Sequence, residues 1–294
     1  MKNGVSQRAE VLIEALPYIR EFAGATIVIK YGGAAMTDEA LKRSVAQDIA
    51  LLRYVGMRPV VVHGGGPRIS EMMERLDLEP KFVEGLRVTD EATMAVVEMV
   101  LVGQVAQELA ACISDSGVPA VALSGRDARL LGACKLAGPG GEDLGLVGQV
   151  TEIRPDLIND LLAAGYIVML SPIGAGPDGG PLNINADHVA GELAAALNAR
   201  KLVVLSDVPG LMRDPDDPST LISELSLAET RQMLASDAVA GGMIPKLESC
   251  ITALEGGVER AHLIDGSRPH SLLIELLSEA GIGTMISRFA RSGE

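Results

Sequence analysis

Two lysines, each next to glycines, are the residues of this chain best suited to chemistry on a phosphate. Lys30 ends a short apolar stretch and is followed by a Tyr-Gly-Gly turn, and Lys246 stands four residues after a Gly-Gly pair. Glycine backbones can bring N–H donors close to an oxyanion, and lysine ammonium groups add positive charge. Asp187 could orient both ammonium groups. The pattern predicts a phosphoryl-transfer site.

The run of residues 59–67, Pro-Val-Val-Val-His-Gly-Gly-Gly-Pro, adds a second glycine turn. Its valines predict a strand buried on both faces, and its glycines carry the chain out of the carboxyl end, where ligands bind in open α/β sheets. Pro67 can open a helix whose N-terminus attracts anions. We interpret the run as an anion cradle. A tight turn without a ligand is the alternative, but it explains one glycine better than three.

Composition narrows the class of protein. With 294 residues, 48% of them hydrophobic, the chain can form two packed lobes. Its 25 Lys and Arg against 39 Asp and Glu give a net charge of −14, and only four Tyr, three Phe and no Trp could stack on bases. These features argue against nucleic acid as a partner. We also expect no membrane partner and a cytoplasmic location, because neither a signal peptide nor an uncharged run of about 18 apolar residues is evident.

Alternating strands and helices must position the first two glycine turns. Thr26 to Lys30 predicts a strand, which precedes a helix capped by Thr37 and ended by Gly56, and then the valine strand. Because a β-α-β crossover is right-handed, both glycine turns should meet at one edge of a parallel sheet. Arg87 follows on a short segment. An arginine there suits a bidentate grip on a carboxylate, although a lone arginine is commonly a solvated surface group.

A second lobe is predicted beyond the glycine- and proline-rich run 174–181. We place a helix at 1–24, one lobe at 25–178 and another at 179–294. Asn185 is a candidate cap for a helix that holds Asp187 in its first turn, where compensation of the helix dipole is the structural alternative for that carboxylate. Lys246 also lies near a helix N-terminus. The dipole there favours an anion over a cation, which argues for a phosphate partner.

Several common enzyme signatures are missing from the sequence. It has no Gly-x-x-x-x-Gly-Lys-Ser/Thr loop, no Gly-x-Gly-x-x-Gly turn after a strand and no protein-kinase loops. No serine, cysteine or histidine has an evident activating partner, so we expect no covalent intermediate. If the acceptor is a carboxylate, which is already ionised at neutral pH, no general base is required.

Several segments together resemble the amino acid kinase family and, within it, the branch that phosphorylates acetylglutamate. They are Lys30-Tyr31-Gly32-Gly33, Val62-His63-Gly64-Gly65-Gly66-Pro67, Gly85-Leu86-Arg87-Val88-Thr89, Asn183-Ile184-Asn185-Ala186-Asp187, Leu205-Ser206-Asp207-Val208-Pro209-Gly210-Leu211 and Gly241-Gly242-Met243-Ile244-Pro245-Lys246. The resemblance implies an α/β fold, a three-layer αβα sandwich with a mainly parallel central sheet. It also implies transfer of the ATP γ-phosphoryl to the side-chain carboxylate of N-acetyl-L-glutamate, in arginine biosynthesis. The first lobe would bind acetylglutamate and the second ATP.

The same resemblance assigns roles to individual residues. Lys30 and Lys246 match transition-state lysines, and Asp187 matches the carboxylate that organises them. Arg87 and Asn183 match acetylglutamate-binding positions, and Gly33, Gly64 and Gly65 match the backbone N–H donors around the transferred phosphoryl group. The positions matched to the nucleotide are Asp207, Gly210, Leu211, Gly242, Met243 and Lys246. Mg²⁺ would be held chiefly by the nucleotide phosphates and not by a protein cage.

Two other classes of function stay open from the sequence. A family member with another acceptor, such as aspartate, glutamate, carbamate or a nucleoside monophosphate, would share the lysines and differ at Arg87 and Asn183. A non-catalytic amino-acid sensor would keep the fold and lose the lysines. Both lysines are present.

A regulatory site is implied by both ends of the chain. The amphipathic helix predicted from Gln7 to Glu21, together with segment 270–284, resembles the arginine-sensitive members. That resemblance implies feedback inhibition by L-arginine in a homo-oligomer, a hexamer formed as a trimer of dimers. Glu275 would receive the guanidinium in a site formed by Tyr18, Lys201, His270, Glu275 and Gly283.

The helix itself supports an oligomer on physical grounds. Val11, Leu12, Leu16 and Ile19 would form an exposed apolar stripe unless the helix of a neighbouring dimer covered them. The alternative is that the helix packs on its own subunit and that Glu275 is solvated.

Overall fold

The computed structural model describes residues 2–36, 38–214, 217–236, 239, 241–279 and 281–289. Strands β1 to β14 are Thr26–Tyr31, Arg58–His63, Phe82–Val83, Leu86–Arg87, Ala120–Ser124, Leu131–Ala137, Asp143–Ile153, Ile167–Ser171, Ile173–Ala175, Pro181–Ile184, Lys201–Ser206, Glu224–Ser226, Arg260–Asp265 and Thr284–Ser287. Helices α1 to α10 are Lys2–Phe22, Glu39–Tyr54, Gly66–Arg75, Glu91–Val100, Ala106–Ser114, Asp156–Ala163, Ala186–Ala196, Leu227–Ala235, Met243–Glu255 and Ser271–Leu277.

Eight strands form one central sheet in the order β12-β14-β13-β11-β1-β2-β8-β5. Every pairing in it is parallel except that of β13 with β14. The central strands are buried on both faces, which is why they read as continuous apolar runs in the sequence. The predicted mainly parallel α/β sheet is confirmed.

Helices cover both faces of this sheet. One core contains Val45 and Ile49 of α2 and Val97 of α4, and the opposite core contains Val189 of α7 and Leu247 of α9. Helices α2, α4, α7 and α9 each bury apolar residues against the strands. The result is the three-layer αβα arrangement expected from the resemblance.

The first β-α-β unit places two glycine turns together, as predicted. Strands β1 and β2 pair in parallel with Tyr31 opposite His63, and the Gly64 N–H donates to the Tyr31 carbonyl at 2.8 Å. The cap of α2 is Asp38, whose carboxylate accepts from the N–H groups of Ala40 and Leu41. Thr37, the predicted cap, lies outside the described residues.

The glycine- and proline-rich run 174–181, which was predicted to divide the two lobes, lies at the turn of a β-hairpin. Strands β9 and β10 on either side of it pair antiparallel, with Pro181 opposite Ala175. Together with β6 and β7 they close a small four-stranded barrel beside the main sheet. The main sheet continues across the predicted junction through the pairing of β1 with β11. The boundary between 178 and 179 stays a prediction.

A long helical segment consists of α4, a π turn at Leu101–Val105, and α5. The π turn is marked by a bond from the Ala106 N–H to the Leu101 carbonyl, five residues back. The segment Glu91–Ser114 is long and apolar enough to span a membrane, but half of its most apolar window is buried inside this protein. A core helix explains that composition, and the cytoplasmic location stays a prediction.

Helix α1 leaves most of its predicted apolar stripe uncovered. Val11, Leu12 and Leu16 are 59%, 71% and 45% exposed, and Ile13 is also exposed. Ile19 is the exception, since it packs with Ala15 and Tyr18 against the core near α10.

Candidate active site

A buried ion pair lies at the carboxyl ends of the central strands. Lys30 and Asp187 are 7% and 6% exposed, and Lys30 Nζ is 3.1 Å from Asp187 Oδ1. The contact is an ion pair, and that oxygen has no hydrogen-bond partner in the described part of the chain. Asn185 caps α7 by accepting from the Asp187 N–H at 2.8 Å, as predicted. The Asp187 carboxylate is therefore not the cap, and it faces the lysine.

Lys246, in the first turn of α9, faces the same pair. Burial lowers its pKa, the charge of Asp187 raises it, and that of Lys30 lowers it. Its ammonium donates to the Gly242 carbonyl at 2.8 Å. Lys30, Lys246 and Asp187 are thus close together in the structure, as the sequence pattern predicted.

Close packing of α7 on α9 sets the distance between these side chains. A Cβ on Gly191 would lie 2.5 Å from the backbone oxygen of Ser249, so only glycine allows this approach. Gly191 is one turn beyond Asp187, and Ser249 is about one turn beyond Lys246. The helix crossing therefore positions the carboxylate and the lysine relative to each other.

The two glycine turns differ in their need for glycine and in whether their backbone N–H groups are free to bind a ligand. Gly33 has φ +71°, and a Cβ there would collide with the Asp207 carboxylate, so this turn requires glycine. Gly64 does not offer the N–H donor predicted for it, because that group is bonded to the Tyr31 carbonyl. The N–H of Gly65 has no hydrogen-bond partner among the described residues, and it precedes α3.

Arg87 and Asn183 are joined through Thr89. Arg87 is 8% exposed, and its guanidinium donates to the Gly66 carbonyl at 3.0 Å and to Ser70 Oγ at 2.8 Å. Thr89 Oγ1 donates to the Arg87 carbonyl at 2.7 Å and accepts from Asn183 Nδ2 at 3.2 Å. The solvated-surface alternative for Arg87 is wrong. Sequence reasoning missed Ser70 and Thr89, which hold the arginine in place.

A cavity of about 440 Å³ opens beside Lys246 at the end of β11. It is lined by Ser206, Asp207, Val208, Gly210, Leu211, Met212, Val239, Gly242, Met243 and Lys246. All six residues predicted to contact the nucleotide are among them. The structure brings these residues together, and their role in nucleotide binding stays a prediction.

The described residues contain no cluster of three or more His, Cys, Asp or Glu that could hold a metal ion. Asp187 and Asp207 are the carboxylates near Lys246, and Asp187 presents a buried oxygen without a hydrogen bond. Either carboxylate could contribute one ligand to a Mg²⁺ ion that takes most of its ligands from phosphates and water.

A second cavity, of about 680 Å³, lies between α1 and the C-terminal strands. Four residues predicted to bind arginine line it, namely Tyr18, Lys201, Glu275 and Gly283. His270 does not line it. Its backbone is left-handed at the start of α10, and its ring turns toward α2, where Nδ1 is 2.6 Å from Asp48 Oδ1.

Glu275 is buried and already bonded inside this cavity. Its Oε1 is 2.6 Å from His262 Nδ1, and its Oε2 accepts from the Ile282 N–H at 2.8 Å. Burial raises the pKa of Glu275, but the bonds from His262 and Ile282 outweigh it and hold the pKa below its usual range. Burial lowers the pKa of Lys201 to about 8. The cavity thus carries charges of both signs.

The family model described as "Amino acid kinase family" matches residues 25–265. The chain is similar to acetylglutamate kinase from Symbiobacterium thermophilum, at 54% identity over 97% of this chain and 99% of that protein.

The chain is also similar to solved structures of another protein. N-acetylglutamate synthase from Neisseria gonorrhoeae, complexed with coenzyme A and N-acetyl-glutamate, has a TM-score of 0.85 and 31% identity over 96% of this chain. This chain spans 64% of that synthase. The synthase complexed with coenzyme A and L-arginine has a TM-score of 0.81 and 29% identity, over 96% of this chain and 66% of that one.

Proposed function

Because this chain belongs to the amino acid kinase family and is a phosphotransferase, we propose that it moves the γ-phosphoryl of ATP to the side-chain carboxylate of N-acetyl-L-glutamate. The product would be the acyl phosphate N-acetyl-L-glutamyl 5-phosphate, in the route to arginine. The observation that carries the proposal is the buried Lys30–Asp187 pair with Lys246 beside it, next to the cavity at the end of β11 that Lys246 lines.

In this reaction the protein has to position the two substrates and to stabilise the negative charge of the phosphoryl group in transfer. As the γ-phosphoryl leaves ADP and meets the acceptor, negative charge shifts over its oxygens, and Lys30 and Lys246 would meet that charge. Asp187 holds the ammonium groups in place. Mg²⁺, bound mainly through the nucleotide phosphates with Asp187 and Asp207 nearby, would supply further positive charge. The acceptor carboxylate is already ionised, so no side chain has to remove a proton.

Arg87 and Asn183 would select the acceptor. Arg87 is buried and aligned by Ser70 and by the Gly66 carbonyl, so part of its fork is fixed before any ligand arrives. Asn183 is linked to the same element through Thr89. A preorganised cation and amide suit a ligand with a carboxylate and an amide, as in N-acetyl-L-glutamate.

The acceptor assay tests this proposal directly. Purified protein with ATP and Mg²⁺ is expected to release ADP with N-acetyl-L-glutamate, and far less with glutamate, aspartate or carbamate. A reaction without acceptor measures background ATP hydrolysis. Preference for any of the other three acceptors would contradict the assignment, and it would favour another member of the family.

We further propose that L-arginine inhibits the enzyme through the cavity beside α1, in a hexamer joined by the α1 helices. Lys201 and Glu275 give the cavity both signs of charge, and Tyr18 connects it to α1. The arginine complex of the similar synthase supports this choice of ligand. Val11, Leu12 and Leu16, exposed on one subunit, would be covered in such an assembly.

Removal of α1 tests the regulatory proposal. The full chain is expected to sediment as a hexamer and to lose activity with arginine, whereas a chain starting at Gly24 is expected to sediment as a dimer that arginine inhibits weakly. A tenfold loss of apparent acceptor affinity would need about 1.4 kcal/mol of coupling. A full-length dimer, or undiminished inhibition after truncation, would show that α1 is not the coupling element.

A further inference from the structure

His63 is a buried side chain for which the phosphoryl-transfer chemistry has no use. It ends β2, directly before the glycines, and is 0% exposed. Its Nδ1 is 2.8 Å from the Gly64 carbonyl oxygen, and its Nε2 is 2.9 Å from Ser171 Oγ. A carbonyl can only accept, so Nδ1 carries the hydrogen. Nε2 is therefore the acceptor, and the Ser171 hydroxyl donates to it.

The contact between His63 and the Gly64 carbonyl also fixes the direction of the Gly65 N–H, because the peptide bond between them is planar. The Gly64 carbonyl and the Gly65 N–H belong to one trans peptide unit, so they point in opposite directions. With the carbonyl held inward by His63, the Gly65 N–H is directed to the opposite side of the loop. The N–H of Gly64 is fixed as well, through its bond to the Tyr31 carbonyl.

The π turn supports the same loop from a third direction. Leu101 begins that turn, and its side chain fills the space where a Cβ on Gly65 would lie. Its carbonyl oxygen is 3.4 Å from Ser171 Oγ, so it lies against the serine that holds His63. Histidine, serine and π turn thus enclose one peptide unit.

We propose that His63, Ser171 and Leu101 form a brace that aims the Gly65 N–H at the phosphoryl group in transfer. His63 and Ser171 are positioning residues, and neither touches the substrates. The inference rests on the proposed function, because it names the donor that the glycine loop contributes to that reaction. It also explains why a histidine stands before three glycines: neutral imidazole can donate to the loop and accept from the neighbouring strand at once.

Nitrogen NMR of ¹⁵N-histidine protein tests the brace without any assay of activity. The ring of His63 is expected to be the Nδ1–H tautomer and to stay neutral from pH 6 to 8, since burial lowers its pKa to about 4. The His63→Asn variant identifies its signals among the four histidines. An Nε2–H tautomer, or protonation in that pH range, would overturn the assignment even if the proposed acceptor proved wrong.

Kinetics test the consequence for the reaction. Ser171→Ala removes the donor to His63 and is expected to lower kcat roughly ten- to hundredfold, with the KM for ATP within about twofold. The matched control is Ser124→Ala, at the buried serine opposite Ser171 on β5, which is expected to keep wild-type kcat. Folded Ser171→Ala with wild-type kcat would overturn the proposal. A wild-type protein inactive with acetylglutamate would instead contradict the proposed function, while the NMR result still tests the brace.

Discussion

Replacement of Lys246 by alanine is expected to lower kcat by roughly a hundred- to a thousandfold, the cost of losing one preorganised electrostatic donor. The KM for the acceptor should change little, because the lysine would meet charge that shifts only during transfer. In the free enzyme its ammonium is bonded to the Gly242 carbonyl, a group the solvent can satisfy once the lysine is gone. Its loss should therefore leave stability almost unchanged.

Lys30→Ala tests two roles of this lysine, its charge in the reaction and its ion pair with Asp187 in the folded protein. It should lower kcat to a similar extent, but it also leaves Asp187 buried without its partner, so the thermal midpoint should fall. Lys135→Ala, at an exposed lysine of the β6–β7 hairpin, controls for the change in net charge. Steady-state kinetics and thermal unfolding of the three variants provide the measurement. Near wild-type kcat in folded Lys246→Ala would show that this lysine has been misassigned.

Gly191→Ala is expected to damage stability and activity together. The added Cβ would meet the Ser249 backbone oxygen at 2.5 Å, and backbone cannot rotate away as a side chain can. Helices α7 and α9 must then separate, at a cost of about 1–3 kcal/mol or more in unfolding free energy. Since Asp187 and Lys246 lie on these two helices, the separation should also lower kcat.

Ser249→Ala is the matched control at the same crossing. The Ser249 hydroxyl is buried and has no hydrogen-bond partner in the described part of the chain, so its removal should leave stability unchanged or raise it by up to about 1 kcal/mol. Urea unfolding and kcat for both variants distinguish a packing effect from a general intolerance of substitution. Wild-type stability and kcat in Gly191→Ala would contradict this account of the helix crossing.

Much of the fold could be predicted because its central elements carry strong local signals. Strands β1, β2 and β11 are continuous apolar runs, and Asn185 marks the start of α7. Neither β12 nor α8 was predicted, because β12 has three residues and the apolar Leu227, Met233 and Leu234 of α8 are only partly buried against the core. A capping box formed by Ser226 and Glu229 was the available signal there.

The site was predictable where chemistry coincides with strand ends, and unpredictable where it depends on distant contacts. Lys30 and Asp187 were paired correctly because each carries a local signal, Lys30 near the end of β1 and Asp187 in the first turn of the capped helix α7. Thr89 and Asn183 are 94 residues apart, and His63 and Ser171 are 108 apart, so no local pattern joins them. His270 was predicted beside Glu275, but its ring contacts Asp48 of α2, which is 222 residues away in the sequence.

The place of β1 at the centre of the sheet determines when a growing polypeptide can complete its fold on the ribosome. Its neighbours are β2, which follows it closely, and β11, whose pairing joins Ile27 to Lys201. Until residue 201 and those after it have been synthesised, one edge of β1 stays open to pairing with other chains. Contacts of such long sequence separation also slow folding. Nascent chains shorter than this should therefore need protection from aggregation, and the buried partner of Lys30 would appear only shortly before β11 closes that edge.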